Sequence, residues 1–172
     1  MRILLAISGG IAAYKAPELV RRLRDAGHEV RCMATTSATH LVATGALAVV
    51  SDSPVYTSMW TEDGSIPHIE LPRWCDIFLV APATADVMAR FALGLADDLV
   101  TTAALALEQD RRFVLAPAMN TVMWNHPTVQ ANLATLRARG AEVIDPVSGK
   151  LACDEQGVGA MADIPAIVTA LG

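Results

Sequence analysis

Four short segments gather the small and polar residues that could meet a ligand: Ser8-Gly9-Gly10, Thr35-Thr36-Ser37, Pro82-Ala83-Thr84 and Pro117-Ala118-Met119-Asn120. In the first, two glycines follow a serine at the start of a helical pattern. Main-chain N–H groups there can cradle a phosphate, helped by the helix dipole. The same residues also make an ordinary tight turn between a strand and a helix, and spacing alone leaves the two readings level. The segment is neither a G-x-G-x-x-G nor a P-loop. Hydroxyls at Thr35, Thr36, Ser37 and Thr84 serve equally well as helix N-caps. Asn120 carries a neutral side-chain donor and, beside Pro117, also reads as a turn or cap residue. Of the four histidines, His68 is of a residue type suited to proton transfer, although a lone histidine is more often an ordinary loop or strand-edge residue. His28 reads as the start of a surface strand. Three cysteines, Cys32, Cys75 and Cys153, form an odd set without C-x-x-C spacing, so neither a disulfide framework nor a zinc site is expected. Cys32 and Cys75 fit as buried small hydrophobes; Cys153 sits in a Gly- and Asp-rich stretch where burial is less natural.

These segments follow apolar runs. Ile3 to Ile7, Glu29 to Ala34, residues 76–81, 113–116 and 142–144 read as strands. Helical periodicity covers 12–26, a segment around 40–50, 84–93, 96–107, 127–139 and Ile164–Leu171. Alternation of strand and helix means βαβ units, and continuous apolar strands such as Ile77-Phe78-Leu79-Val80 are those buried on both faces of a parallel sheet. The expected fold is a doubly wound, Rossmann-like (flavodoxin-like) α/β layer, organised as one domain over residues 1–172. Ligands of such sheets sit beyond the carboxyl ends of the strands, where the four segments fall. Residues 51–67 and 146–159 read as long loops, which in a compact domain are usually functional.

Thirteen Lys and Arg against eighteen Asp and Glu give a net charge of −5 with the basic residues dispersed, which argues against nucleic acid as a partner. A hydrophobic fraction of 53% with 18% charged residues excludes disorder and favours a two-sided buried sheet or a large subunit interface. The opening MRILLAISGG is too short a run for a secretory leader, and no later stretch has the uncharged length of a bilayer span. A cytoplasmic location without membrane contact is expected.

Taken together, the strings ISGGIAAYKAPELVRRL, HIELPRWCDIFLVAPATADVMARFALGLADDL, APAMNTVMWNHPTVQANLATLRARG and ACDEQGVGAM resemble the homo-oligomeric flavin-containing cysteine decarboxylases, in order and over nearly the whole chain. The resemblance implies FMN bound between subunits of a homo-oligomer, a trimer or a dodecamer. It places Ser8, Gly9, Gly10, Thr35 and Ser37 at the FMN phosphate and ribityl chain, and Ala83, Thr84 and Met119 near the flavin. It implies His68, Asn120 and Cys153 as catalytic residues, and no metal.

The implied chemistry is physically sensible. A cysteine carboxylate has no electron sink for the carbanion that CO2 loss leaves behind, and oxidation of the thiol-bearing carbon by flavin supplies one. By resemblance His68 handles the thiol proton, Asn120 holds the carboxylate, and Cys153, on a flap, protonates the enethiolate as reduced flavin returns hydride. A neutral amide suits a carboxylate whose charge must depart, where an arginine clamp would stabilise the ground state. Such a redox-neutral cycle fits conversion of 4'-phosphopantothenoylcysteine to 4'-phosphopantetheine in coenzyme A biosynthesis. The alternative substrate is a C-terminal peptidyl-cysteine released as an enethiol. Two residues depart from the family's flap pattern: Asp154 replaces a glycine beside the thiol, and Ala160 replaces the arginine before Met161. Asp154 keeps the thiol protonated; Ala160 removes an anchor for flap or ligand. Lys150 reads as a solvated loop residue. Bacterial relatives commonly carry a ligase domain after this region, so either a stand-alone enzyme or a separate ligase chain is expected.

Overall fold

The computed structural model describes residues 1–150 and 156–172. β1 (Arg2–Ile7) leads through a 3-10 turn (Ile11–Lys15) into α1 (Ala16–Asp25), and β2 (Glu29–Ala34) into α2 (Thr44–Ser51) and the short β3 (Val55–Tyr56). α3 (Pro67–Trp74) precedes β4 (Ile77–Ala83), α4 (Ala85–Leu93) and α5 (Leu99–Leu105). β5 (Arg112–Pro117), the single-turn α6 (Thr121–Trp124), α7 (Pro127–Ala138) and β6 (Glu142–Val143) follow. Last come β7 (Val147–Lys150), β8 (Gln156–Ala160) and α8 (Ile164–Leu171).

β1 to β6 form one parallel sheet in the order β3-β2-β1-β4-β5-β6. Without the two-residue edge strand β3, the order is that of the flavodoxin-like sheets; with it, the Rossmann order. The period-2 alternation of the strands divides the core. Ile3, Leu5 and Ile7 pack with α1, α2 and α8 on one face, and Leu4 and Ala6 pack with Phe78, Val80 and the helices α3, α4, α5 and α7 on the other. Phe78, fully buried, meets Phe113 edge-on at 5.5 Å between ring centroids. Truncating such a ring costs about 3–5 kcal/mol.

The strands and most helices lie where periodicity places them. Thr84 caps α4 by accepting from Val87 N–H, and Asp98 starts α5 with a reciprocal capping box to Thr101, later than its apolar pattern suggests. Several elements depart from expectation, and residues 51–67, expected as loop, contain the edge strand β3. The stretch opening at Pro67 is helix α3, hidden because Pro72 sits within it and cannot donate to the preceding turn. α6 is a single turn, too short for a period. Residues 146–159, expected as loop, contain the antiparallel β7–β8 ribbon, and Lys150 belongs to β7. His28 is buried, 8% exposed, just ahead of a strand inside the sheet, not on a surface strand. Among the described residues no helix is long and apolar enough to cross a membrane.

Candidate active site

The strand order reverses direction between β1 and β4, so the segments leaving these neighbours diverge and open a crevice at the carboxyl edge. A cavity of about 1020 Å³ occupies it. All four post-strand segments reach its wall: Ser8, Gly9 and Gly10 after β1, Thr35, Thr36 and Ser37 after β2, Thr84 after β4, and Ala118, Met119 and Asn120 after β5. Ala83 is the exception. It ends β4 fully buried in the core on the α4 face and does not line the cavity.

A Cβ on Gly9 would overlap Cβ of Ser37, and one on Gly10 would stand 3.1 Å from Thr84 Cγ2. The glycines therefore serve close approach: without side chains, the loops after β1, β2 and β4 converge tightly enough to bring main-chain N–H groups together.

Asn120 begins α6, and its Oδ1 accepts from Val122 N–H at 2.7 Å. The cap orients the amide, with Nδ2 as its donor end. Met119 N–H donates to Gly159 O at 2.9 Å, which lays β8 across the segment after β5. Gly159 has φ +151°, and a Cβ there would overlap Met119 O; one on Gly157 would overlap Thr121 Oγ1. This seating brings Ala160 and Met161 into the cavity wall, so the position of the flap arginine faces the ligand space. Cys153 and Asp154 lie outside the described residues.

His68 does not line the cavity. It is the second residue of α3, which runs into β4 from the sheet's carboxyl edge, so it shares an edge with the cavity without entering it. Its Nδ1 is buried and, among the described residues, has no hydrogen-bond partner. An orphaned ring nitrogen is a cost that core packing does not require.

The charged lining was missed by sequence reasoning. Arg90 is pinned between Asp97 at 2.6 Å and Asp86 at 2.9 Å, and its hydrogen bond holds the Asp97 carboxyl below the usual range. Lys15, which also lines the cavity, makes no ion pair among the described residues. The available signal was a cation one helical turn downstream of a glycine loop. Cys32 and Cys75 are buried thiols pushed up by desolvation to about 12 and about 11, which keeps both protonated and out of the chemistry.

A family model described as Flavoprotein matches residues 1–171. The probable phosphopantothenoylcysteine decarboxylase of Streptococcus mutans is 43% identical over 169 residues, covering 97% of this chain and 94% of that protein. The coenzyme A biosynthesis bifunctional protein CoaBC of Escherichia coli is 44% identical over 169 residues, covering 97% of this chain and 41% of its own length. The chain thus spans about two fifths of the bifunctional relatives it matches. Among solved structures, a PPC decarboxylase mutant complexed with pantothenoylaminoethenethiol superposes with a TM-score of 0.90 at 35% identity, covering 99% of this chain and 95% of that one. The FMN binding protein AtHal3 superposes at 0.86 with 35% identity, covering 99% and 94%. With its cavity at the β1–β4 switch point and matches running its whole length, the chain belongs to the Flavoprotein family, among the flavin-containing cysteine decarboxylases.

Proposed function

We propose that this chain is an FMN-dependent phosphopantothenoylcysteine decarboxylase, releasing CO2 from 4'-phosphopantothenoylcysteine to give 4'-phosphopantetheine in coenzyme A biosynthesis. What carries this reading is the convergence on one cavity of the glycine-dependent loops and the Asn120 segment. The donor set fits the cofactor: main-chain N–H groups and hydroxyls around Gly9, Gly10, Thr35 and Ser37 for a phosphate, Lys15 for its charge, Met119 for an apolar ring. When bound, FMN supplies the electron acceptor that turns the thiol-bearing carbon of the substrate into a sink, and afterwards returns the electrons.

The chain's own residues orient the substrate and move protons. Asn120 Nδ2 holds the carboxylate without adding a charge that CO2 loss would have to overcome. His68 takes the thiol proton. Cys153 donates the proton that saturates the product. Because His68 lies outside its own chain's cavity, a neighbouring copy must supply it. The rim supports such an interface: Ile11, Tyr14 and Met123 are 59%, 63% and 48% exposed, large apolar groups that a second copy would cover. The enzyme is accordingly a homo-oligomer, trimer or dodecamer, and its unpaired thiols Cys32 and Cys75 favour the cytoplasm, outside any membrane.

Anaerobic incubation of the flavin-loaded protein with 4'-phosphopantothenoylcysteine, and separately with a peptide ending in cysteine, tests the assignment. The former should yield CO2 and saturated product over many turnovers. The FMN-dependent cysteine decarboxylase SpaF also superposes, 32% identical with a TM-score of 0.84. A single equivalent of CO2 from the peptide, with an enethiol product, would transfer the assignment to it. CO2 from neither overturns the proposal.

A further inference from the structure

Ser8 is 1% exposed, deeper than a residue that touches a ligand phosphate needs to be. The β1–β4 ladder ends at Ala6 and Val80, and beyond it the two segments are joined by a long main-chain bond, Ser8 N–H to Pro82 O at 3.4 Å, and by side chains. Ser8 Oγ donates to Pro82 O at 2.7 Å, accepts from Thr84 N–H at 3.1 Å, and lies 3.2 Å from Thr84 Oγ1. A hydroxyl has one proton and two lone pairs. With its proton on Pro82 O, at the shorter of the two distances, the Ser8 oxygen accepts the N–H of Thr84. Thr84 Oγ1 in turn accepts Val87 N–H at 3.3 Å, capping α4. Ser8 has therefore no proton left for a ligand, and one lone pair of Thr84 Oγ1 is committed to the cap.

The hydroxyls after β2 differ. Ser37 is exposed, and its side chain makes no hydrogen bond among the described residues. Thr35 Oγ1 accepts from Ala38 N–H at 3.2 Å and keeps its proton for a partner. Ser37 also stands against Gly9, whose N–H makes no hydrogen bond among the described residues, whereas Gly10 N–H is spent on Ser8 O at 2.8 Å.

We infer that Ser8 and Thr84 are a positioning pair, a hydroxyl strut that sets the width of the switch-point crevice, and that the anionic end of the ligand is met instead by Ser37 and the neighbouring main-chain N–H groups. This rests on the cavity taking FMN. It deepens that reading by separating residues that resemblance grouped together at the phosphate.

The test is titration of the apoprotein with FMN and with riboflavin, which lacks the phosphate. Ser8→Ala should weaken both by about tenfold, the worth of one to two hydrogen bonds, leaving their ratio unchanged. Thr84→Val should do the same, Thr84→Ser should restore binding, and the double variant should lose no more than either single one, because the strut is one unit. Ser37→Ala should weaken FMN and spare riboflavin. Selective loss of FMN in Ser8→Ala, or unchanged affinity for both flavins, overturns the strut. Amide exchange at Thr84 gives a flavin-independent readout and should quicken about tenfold in Ser8→Ala. If the wild type binds no flavin, the cofactor reading fails and this exchange rate alone decides the strut.

Discussion

Replacement of Gly159 by alanine tests how the β7–β8 ribbon is held on the residues that carry Asn120. At φ +151° an alanine meets backbone strain of about 1–2 kcal/mol. Its Cβ also runs into Met119 O, so the ribbon must lift and the 2.9 Å bond from Met119 N–H to Gly159 O is lost, for about another 1 kcal/mol. A sum of roughly 2–3 kcal/mol corresponds to about 30- to 150-fold in the local opening equilibrium. Amide hydrogen exchange reads that equilibrium at Met119, which should lose protection by this factor while strands β1 and β4 keep theirs. Gly94→Ala is the control. Gly94 also has positive φ, at +71°, but nothing lies within 4 Å of its Cβ position, so only the backbone strain is felt and Met119 is untouched. Unchanged exchange at Met119 in Gly159→Ala would refute the reasoning, since the ribbon would then be seated by contacts other than the glycine and its carbonyl.

Asn120→Asp keeps an oxygen to accept from Val122 N–H but sets a carboxylate where the substrate's must lie. The unfolding midpoint should hold, flavin should stay bound, and CO2 release should fall by roughly a hundredfold or more, the scale for losing one preorganised donor; Asn120→Ala should in addition cost about 1 kcal/mol of cap. Acid should destabilise the fold in two separate windows. Burial and the nearby N-terminal amine lower the His28 pKa, so the unfolded chain binds its proton first and stability declines as pH falls below about 6.5. His28→Gln should flatten that limb in a pH series of urea unfolding curves. Asp76, held down to about 2 by hydrogen bonds from the Arg2 side chain and main chain, contributes stability that is present above its unfolded pKa near 4 and lost as pH falls from there towards 2. Arg2→Ala, which keeps the main-chain bond to Asp76, should narrow the lower window and leave the upper one.

The sheet was legible in the chain because its determinants are local. Apolar runs such as Ile3 to Ile7 and residues 76–81 bury both faces wherever they are placed, and glycine or proline punctuates them. Helix α3 escaped because Pro72 interrupts the very periodicity that would announce it. The β7–β8 ribbon escaped because its glycines are there to lie on Met119 and Thr121, a requirement that no window of neighbouring residues contains. The site divides in the same way. The chemical types of Asn120 and His68 and the four post-strand segments could be read from the chain, since each follows an apolar strand. Only the tertiary structure decided their allegiances. It joined Ser8 to Thr84 across 76 positions and left Ser37 unspent, sank Ala83 into the core, and brought Lys15 to the cavity and left His68 outside it. A side chain's type and its local propensity travel with the residue, but which protons are already spent depends on partners that meet only when distant strands pair.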